Sequence, residues 1–556
     1  MRIKEQNINK ILIWLLAISA VVRGILAAWM EFGNDEVYYW TYALYPDWSH
    51  FDHPPMVGWV IQLFSLNLLL DSEFFIRLAS VIFMTANTYI VFRIGKELKD
   101  ALTGLYAALL FTASIYAFVI TGIFIMPDTP LMLFWLLAIW MAFKYFPVKV
   151  PEPAVHEAPR RVEGPTDSET VLRYFDKPST QQPWLLIFFG LFAGLAMLSK
   201  YSGVFLWIGM MLYILVFNRK QLKNPYLYLS LLISVVCCIP ILYWNIQNGF
   251  ISFRFHGERV GGNSINFSTF GTELAGEFLY NNPVVFILAI IAIIAALKKK
   301  TIMEQSAKRL ILCISLPMIV VFWVFSLMCP TLPHWNAPAY VSLILLSAVY
   351  LRDKHTDSDK LPKSIIAALS VLAVTLAVGV TEIKTGFIPL DKHTEPEQLG
   401  CNDFTLDMYG WRQLGEKFAD FREEKIAKGI MKTEDGIVAN QWFPLANLDY
   451  YVARPLKMRV MGLGWPEFLH KYLWINDERG GFHLGEDYWF LSDSRYMKDP
   501  KETYQWFFKE IELAGVIPIE RNGKTVKNFF VYTCKDLMAQ PPTLLEFKAQ
   551  SASKDK

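Results

Sequence analysis

The chain has 556 residues, 54% of them hydrophobic and 15% aromatic, with a mean hydropathy of +0.29. So many apolar runs of spanning length exclude a soluble globular enzyme. A formal net charge of +2 by itself says nothing about nucleic acid; the expected partner is the membrane, with no nucleic acid.

Taken in chain order, apolar length predicts about eleven membrane-spanning helices. They fall at 10–30, 73–95, 102–120, 129–146, 183–199, 203–217, 226–243, 283–297, 310–328, 336–351 and 363–380. The first has no small-residue cleavage site before Glu31 and reads as a retained helix. Met56 to Leu70 is apolar but short, which suits a re-entrant or interfacial helix. Alternate connections are rich in Lys and Arg, among them Arg93/Lys96/Lys99, Lys298/Lys299/Lys300 and Arg352/Lys354/Lys360. The intervening ones are nearly free of them, the exceptions being Lys200, Arg254 and Arg259. By the positive-inside rule the N-terminus and the polar, Pro-rich insert 147–182 are cytoplasmic. The tail from about Thr381 is then outside.

That tail returns to soluble composition. Gly436-Ile-Val-Ala, Lys457-Met-Arg-Val-Met, Tyr488-Trp-Phe-Leu and Asn528-Phe-Phe-Val-Tyr read as strands, and Asp407–Ala427 and Lys501–Glu510 as helices. The expected architecture is mainly α: a polytopic membrane domain over 1–380 followed by a soluble α/β domain over 381–556. Of the six cysteines, Cys237, Cys238 and Cys313 sit in apolar runs as packing residues. Cys401 and Cys534 lie in the tail, where an oxidising compartment permits a disulfide, with the pairing left open.

One stretch stands apart. Residues 34–55 hold Asp35, Glu36, Asp47, Asp52, His50 and His53 among six Tyr and Trp residues, with no Lys or Arg. Asn34 suits the N-cap of a short helix through Tyr38, Tyr39 and Tyr42, and Pro54-Pro55 the first turn of another. The orientation also puts Asp128, Lys200, the loop Trp244 to Asn282 and the segment Cys329 to Asn336 on the outer side. Singly, each has a plain structural reading: Asp128 as a helix cap, Lys200 as a snorkelling turn lysine, His256 as a loop histidine. Gathered on one face from five segments, they point to a common cleft. Such groups suit a phosphate-bearing substrate. Lys200 and Arg259 neutralise phosphate oxygens, a carboxylate with an imidazole holds a divalent cation, and a further carboxylate accepts a hydroxyl proton. No Walker sequence is present, so an activated substrate outside the cytoplasm has to arrive on a lipid.

Asp35-Glu36-(x)-Tyr38-Tyr39-Trp40 followed by Asp52-His53-Pro54-Pro55 and Trp59 resembles the first periplasmic loop of the GT-C membrane glycosyltransferases. The branch is that of protein O-mannosyltransferases, the lipid A aminoarabinose transferase and the lipopolysaccharide galacturonosyltransferases. The likeness continues in Met126-Pro-Asp-Thr-Pro-Leu, Gly194 to Gly203, Trp244 to Arg259, His334-Trp-Asn-Ala-Pro-Ala-Tyr340 and Asp407-Met-Tyr-Gly-Trp411.

The resemblance implies an inverting transferase of the bacterial inner membrane, with its site and tail facing the periplasm. It would move one sugar from a polyprenyl-phosphate donor to lipid A, another glycolipid or a protein. A transporter or flippase of lipid-linked sugars is the alternative from another class, and a non-enzymatic assembly factor a third. The resemblance assigns acceptor activation to Asp35 and a second acidic position to Asp128; Glu36, on another face of the same helix, is the competitor for the role of Asp35. It assigns a divalent metal ion (zinc, manganese or magnesium) to Asp52 and His256. Lys200, Arg259, His53, Tyr38, Tyr39 and Trp335 are the expected substrate contacts. His53 stands where the aminoarabinose enzyme has a lysine, which shifts phosphate neutralisation toward Lys200 and Arg259.

Overall fold

A computed structural model describes residues 5–146, 182–260, 265–298, 303–355 and 360–544, without the side chains of 258–260. Helices occupy each of the expected apolar segments. Five of them are long and apolar enough to cross a membrane: Glu5–Trp29, Glu73–Leu98, Pro225–Gln247, Gln305–Ser326 and Lys363–Thr385. Phe267–Tyr280 and Pro283–Leu297 meet at 102° as a bent pair. The others are shorter or more polar. Ala101–Ala113 is buried along nearly its whole length, so neighbouring helices, not lipid, set its ends. The insert 147–182 falls outside the described residues except for Gln182.

Local chemistry fixes the helix ends. Asp100 accepts the Thr103 N–H at 2.7 Å, and Pro183, Pro225, Pro283 and Pro338 stand in first turns, where a missing N–H costs nothing. Asn282 accepts from Val284 N at 3.1 Å and reaches across to the carbonyls of Ala113 and Ala368 at 2.9 and 2.8 Å. Lys363–Thr385 stops at Gly386 in the left-handed conformation, φ +58°. The segment expected as one helix over 102–120 instead breaks at Ser114 and continues as a π-helical turn, Tyr116–Ile120.

Two short helices, Asn34–Leu44 and Met56–Phe64, follow the first membrane helix. They pack so closely that a Cβ on Gly58 would stand 2.8 Å from Tyr42 Cβ. The first begins one residue earlier than its sequence suggests. Gly33 takes the cap position and its N–H is accepted by Glu36 Oε2 at 3.0 Å.

The tail carries a five-stranded sheet: β1 Gly436–Ala439, β2 Val460–Gly462, β3 Tyr488–Asp493, β4 Phe508–Arg521 and β5 Lys524–Leu537. Its order is β2-β1-β3-β5-β4, with β1 parallel to both β2 and β3, and β5 antiparallel to both β3 and β4. The expected helix over Lys501–Glu510 is only Pro500–Tyr504, and its C-terminal end becomes β4. Cys401 and Cys534 are free: Cys534 is buried in β5 opposite Tyr488, while Cys401 faces the carbonyls of Ser494 and Arg495.

The tail does not hang loose from the bundle. One buried apolar cluster runs from Phe32, Val37 and Trp40 to Trp411, Tyr450 and Trp489. Around it, Glu31 accepts the Trp411 N–H at 2.7 Å, Tyr451 OH accepts the Phe32 N–H at 2.7 Å, and Arg412 pairs with Glu73 at 2.6 Å. The tail is thereby held over the acidic first loop.

Candidate active site

A cavity of about 730 Å³ opens between the bundle and the tail. Asp35, Tyr39, Asp52, His53, Asp128, Lys200, His256 and Trp335 all line it. These are eight of the side chains that sequence alone singled out, and they come from five segments. Glu36 and Tyr38 are not on its wall. The Arg259 side chain falls outside the described residues.

Adjacent carboxylates have opposite fates. Glu36 is buried and forms an ion pair with Arg77 through both oxygens, at 2.7 Å from Nε and 2.5 Å from a terminal nitrogen. It also accepts from Ile125 N at 3.1 Å. The remaining donors of Arg77 go to the carbonyls of Ala27, Met30 and Glu31 at 2.7 to 3.0 Å, closing the end of the first membrane helix. Glu36 is therefore a structural hub, not a group facing the cavity. Asp35, one residue earlier, turns into the cavity, and no described residue donates a hydrogen bond to its carboxylate. Its pKa is pushed up to about 6, first by the protein crowded behind it and then by Asp52, Asp407 and Glu36, with Lys200 opposing. Because the side chain is exposed to the lumen, water there offsets part of the burial effect.

The other two carboxylates are engaged. Asp52 Oδ1 accepts from Tyr38 OH at 2.9 Å and Tyr42 OH at 2.5 Å. Burial pushes its pKa up, but the nearby imidazoles of His53 and His470 and those two phenols hold it below the ordinary value. Tyr38 thus orients Asp52 from behind the wall. Asp128 accepts from Lys200 Nζ at 2.9 and 2.7 Å and from Tyr116 OH at 2.9 Å. Lys200 reaches it from the extended residue that ends Pro183–Ser199, and Tyr116 from the π-helical turn. Such turns recur at functional sites. Burial holds the imidazoles of His53 and His334 down at about 4, so both are neutral at pH 7.

The donor types suit a divalent cation, but their arrangement does not. His256 Nε2 is 2.8 Å from the main-chain carbonyl of Asp52, not its carboxylate. One carboxylate oxygen of Asp52 already holds two phenols. Among the described residues no three His, Cys, Asp or Glu side chains converge as ligands.

Sequence reasoning missed the tail's share of the wall. Trp442, Glu467 and His470 line the cavity, and His470 Nδ1 lies 3.9 Å from Asp52 Oδ2. Lys471 beside it is buried among Tyr42, Tyr45 and His50, which drives its pKa well below the usual lysine range.

Residues 52–148 and 170–244 match the family model described as dolichyl-phosphate-mannose-protein mannosyltransferase. The lipid A galacturonosyltransferase RgtD of Rhizobium johnstonii is 20% identical over 352 residues, covering 62% of this chain and 65% of that protein. The chain therefore spans just under two thirds of that relative's length. The crystal structure of ArnT from Cupriavidus metallidurans bound to undecaprenyl phosphate superposes with a TM-score of 0.59 at 14% identity, covering 94% of this chain and 97% of that one. Its apo state does so with the same TM-score at 13% identity, over 94% and 98%. The chain has the fold of ArnT, and residues 52–148 and 170–244 resemble the mannosyltransferase family by sequence.

Proposed function

We propose that the chain is an inverting glycosyltransferase that moves one sugar from a polyprenyl-phosphate donor to a hydroxyl acceptor on the periplasmic side of the bacterial inner membrane. The observation that carries the reading is the contrast within one cavity. Asp52 and Asp128 are satisfied by protein donors, whereas Asp35 faces the lumen without one and has a raised pKa. A base whose pKa lies near the working pH is what hydroxyl activation needs.

In this reading the acceptor oxygen attacks the anomeric carbon from the face opposite the phosphate. Its proton passes to the Asp35 carboxylate as the new C–O bond forms. The bond from the anomeric carbon to the phosphate oxygen breaks, and the electron pair leaves on polyprenyl phosphate, inverting the carbon. Lys200, already fixed by Asp128, and the neutral imidazoles of His53 and His334 supply donors to the leaving phosphate. A cation shared by Asp52 and His256 would require His256 to give up the Asp52 carbonyl, and no step here passes through it. The relatives named above support both acceptor classes, lipid A and protein.

The test uses the full-length chain in liposomes with a synthetic polyprenyl-phosphate sugar and separate glycolipid and protein acceptors. Release of free polyprenyl phosphate that depends on an acceptor is the expected result. No release with either acceptor class, from correctly folded protein, overturns the reading.

A further inference from the structure

The backbone at His470 is strained. Its φ of +49° and ψ of −125° lie in a region that residues bearing a side chain rarely adopt. Neighbours on both sides hold the turn there. The His470 N–H bonds the Pro466 carbonyl at 2.9 Å. Lys471 is pinned to the first loop, its Nζ donating to the Tyr45 carbonyl and lying 3.0 Å from His50 Nδ1, its N–H bonding Tyr38 OH at 3.3 Å. Glycine would take this conformation without strain, yet the chain places an imidazole there. That ring lies parallel to Trp442 at 5.6 Å and 13°, and against Phe51 at 4.8 Å and 27°. Glu467, from the same turn, is exposed on the cavity wall. Next to it, Trp465 and Phe468 are 63% and 54% exposed.

We propose that Trp442, Glu467 and His470 form an acceptor subsite for the sugar headgroup of a glycolipid, so that the tail selects what is glycosylated. The proposal rests on the transferase reading above. A lipid-borne donor reaches the cavity from the bilayer side, where Lys200 and Trp335 stand at the ends of membrane helices, so the acceptor meets the tail wall. An indole face stacks on the C–H face of a sugar ring, a carboxylate accepts two hydroxyls, and an imidazole adds a ring nitrogen for a further hydroxyl. Side chains that match ring hydroxyls fit a glycan better than an extended peptide, which is gripped through backbone hydrogen bonds along a strand. The exposed rings of Trp465 and Phe468 give the apolar part of a glycolipid a surface beside its headgroup.

His470→Gly relaxes the turn while removing the ring, and Glu467→Gln changes an exposed group with little risk to folding. Both are assayed in full-length protein in liposomes, with a glycolipid extract and a Ser/Thr peptide as acceptors, alongside thermal unfolding. His470→Gly is expected to keep or raise Tm while raising the glycolipid KM roughly tenfold, the loss of one good hydrogen bond. Glu467→Gln is expected to raise the glycolipid KM as well, with donor KM and kcat within about twofold of wild type in both. Unchanged glycolipid KM in both variants, a rise in donor KM instead, or transfer to the peptide alone overturns the subsite. If His470→Gly unfolds, Glu467→Gln decides. If wild-type protein releases no polyprenyl phosphate with any acceptor, the transferase reading falls and takes the subsite with it. A working wild type matched by both variants sinks the subsite alone.

Discussion

Arg77 and Glu36 form a closed pair, with every guanidinium donor used and the whole unit buried where the first membrane helix meets the acidic loop. The pair anchors Asn34–Leu44 on Glu73–Leu98, and this rotation of the short helix is what turns Asp35 toward the cavity. Position 36 supplies geometry, and position 35 is left to supply chemistry.

Glu36→Gln tests that division. It keeps the size of the side chain but leaves Arg77 charged, buried and uncompensated, which costs about 3–5 kcal/mol. The expected outcome is a marked drop in thermal stability and yield, with turnover of the molecules that remain folded within a few-fold of wild type. Full stability with turnover abolished would instead give Glu36 a chemical role.

Lys200 and Asp128 invite a double-mutant cycle. Either Lys200→Met or Asp128→Leu alone leaves a buried charge without its partner, at a cost of about 3 kcal/mol or more. The double variant removes both charges and should be more stable than the sum of the single losses implies. Additive losses in unfolding experiments would show that the two groups do not depend on each other. Transfer should be weak in both variants that lack Lys200, because the phosphate loses that cation, and in Asp128→Leu because the carboxylate that fixes Lys200 is gone.

His256 holds the Asp52 loop through a main-chain carbonyl. His256→Ala should therefore slow transfer by loosening that loop, with metal content of the purified protein equal to wild type by elemental analysis. A joint fall in bound metal and turnover would mean that His256 turns toward the Asp52 carboxylate and that the two share a cation.

What was legible in the sequence follows from the range of each interaction. Apolar length located the membrane helices because each span is a local property of its own residues. The acidic, aromatic stretch around Asp35 stood out for the same reason. The partner of Glu36 lies 41 positions away, and His470 lies in the tail, far along the chain from Asp52. No local pattern announces either contact. Strand β4 was missed because Lys501 to Glu510 carries good helix formers, and because Gly515 and Pro518 interrupt the strand pattern. As the edge of the sheet, paired only with β5, it tolerates both. The helix cap was misplaced by one residue because Glu36 reaches back to Gly33, doing the work that Asn34 seemed suited to do.

Asp35 gives the strongest prediction, because activity and stability should move in opposite directions. As a base it must be ionised, so kcat/KM should fall as pH drops through about 6, the value to which burial and the neighbouring carboxylates raise it. Asp35→Asn keeps size and polarity, removes the base, and should lower turnover by roughly 10² to 10⁴ at neutral pH. The acid limb near pH 6 should vanish from whatever activity remains. For stability the sign reverses. The folded-state pKa lies above the unfolded value, so the folded form binds its proton more tightly, and ionising Asp35 weakens the fold as pH rises between those two values. Above pH 6, Asp35→Asn should therefore melt no lower than wild type, and higher if water in the cavity leaves much of the strain. A lower Tm with turnover intact would make Asp35 a structural residue. Intact turnover with the limb near pH 6 still present would assign the proton to another group on the cavity wall.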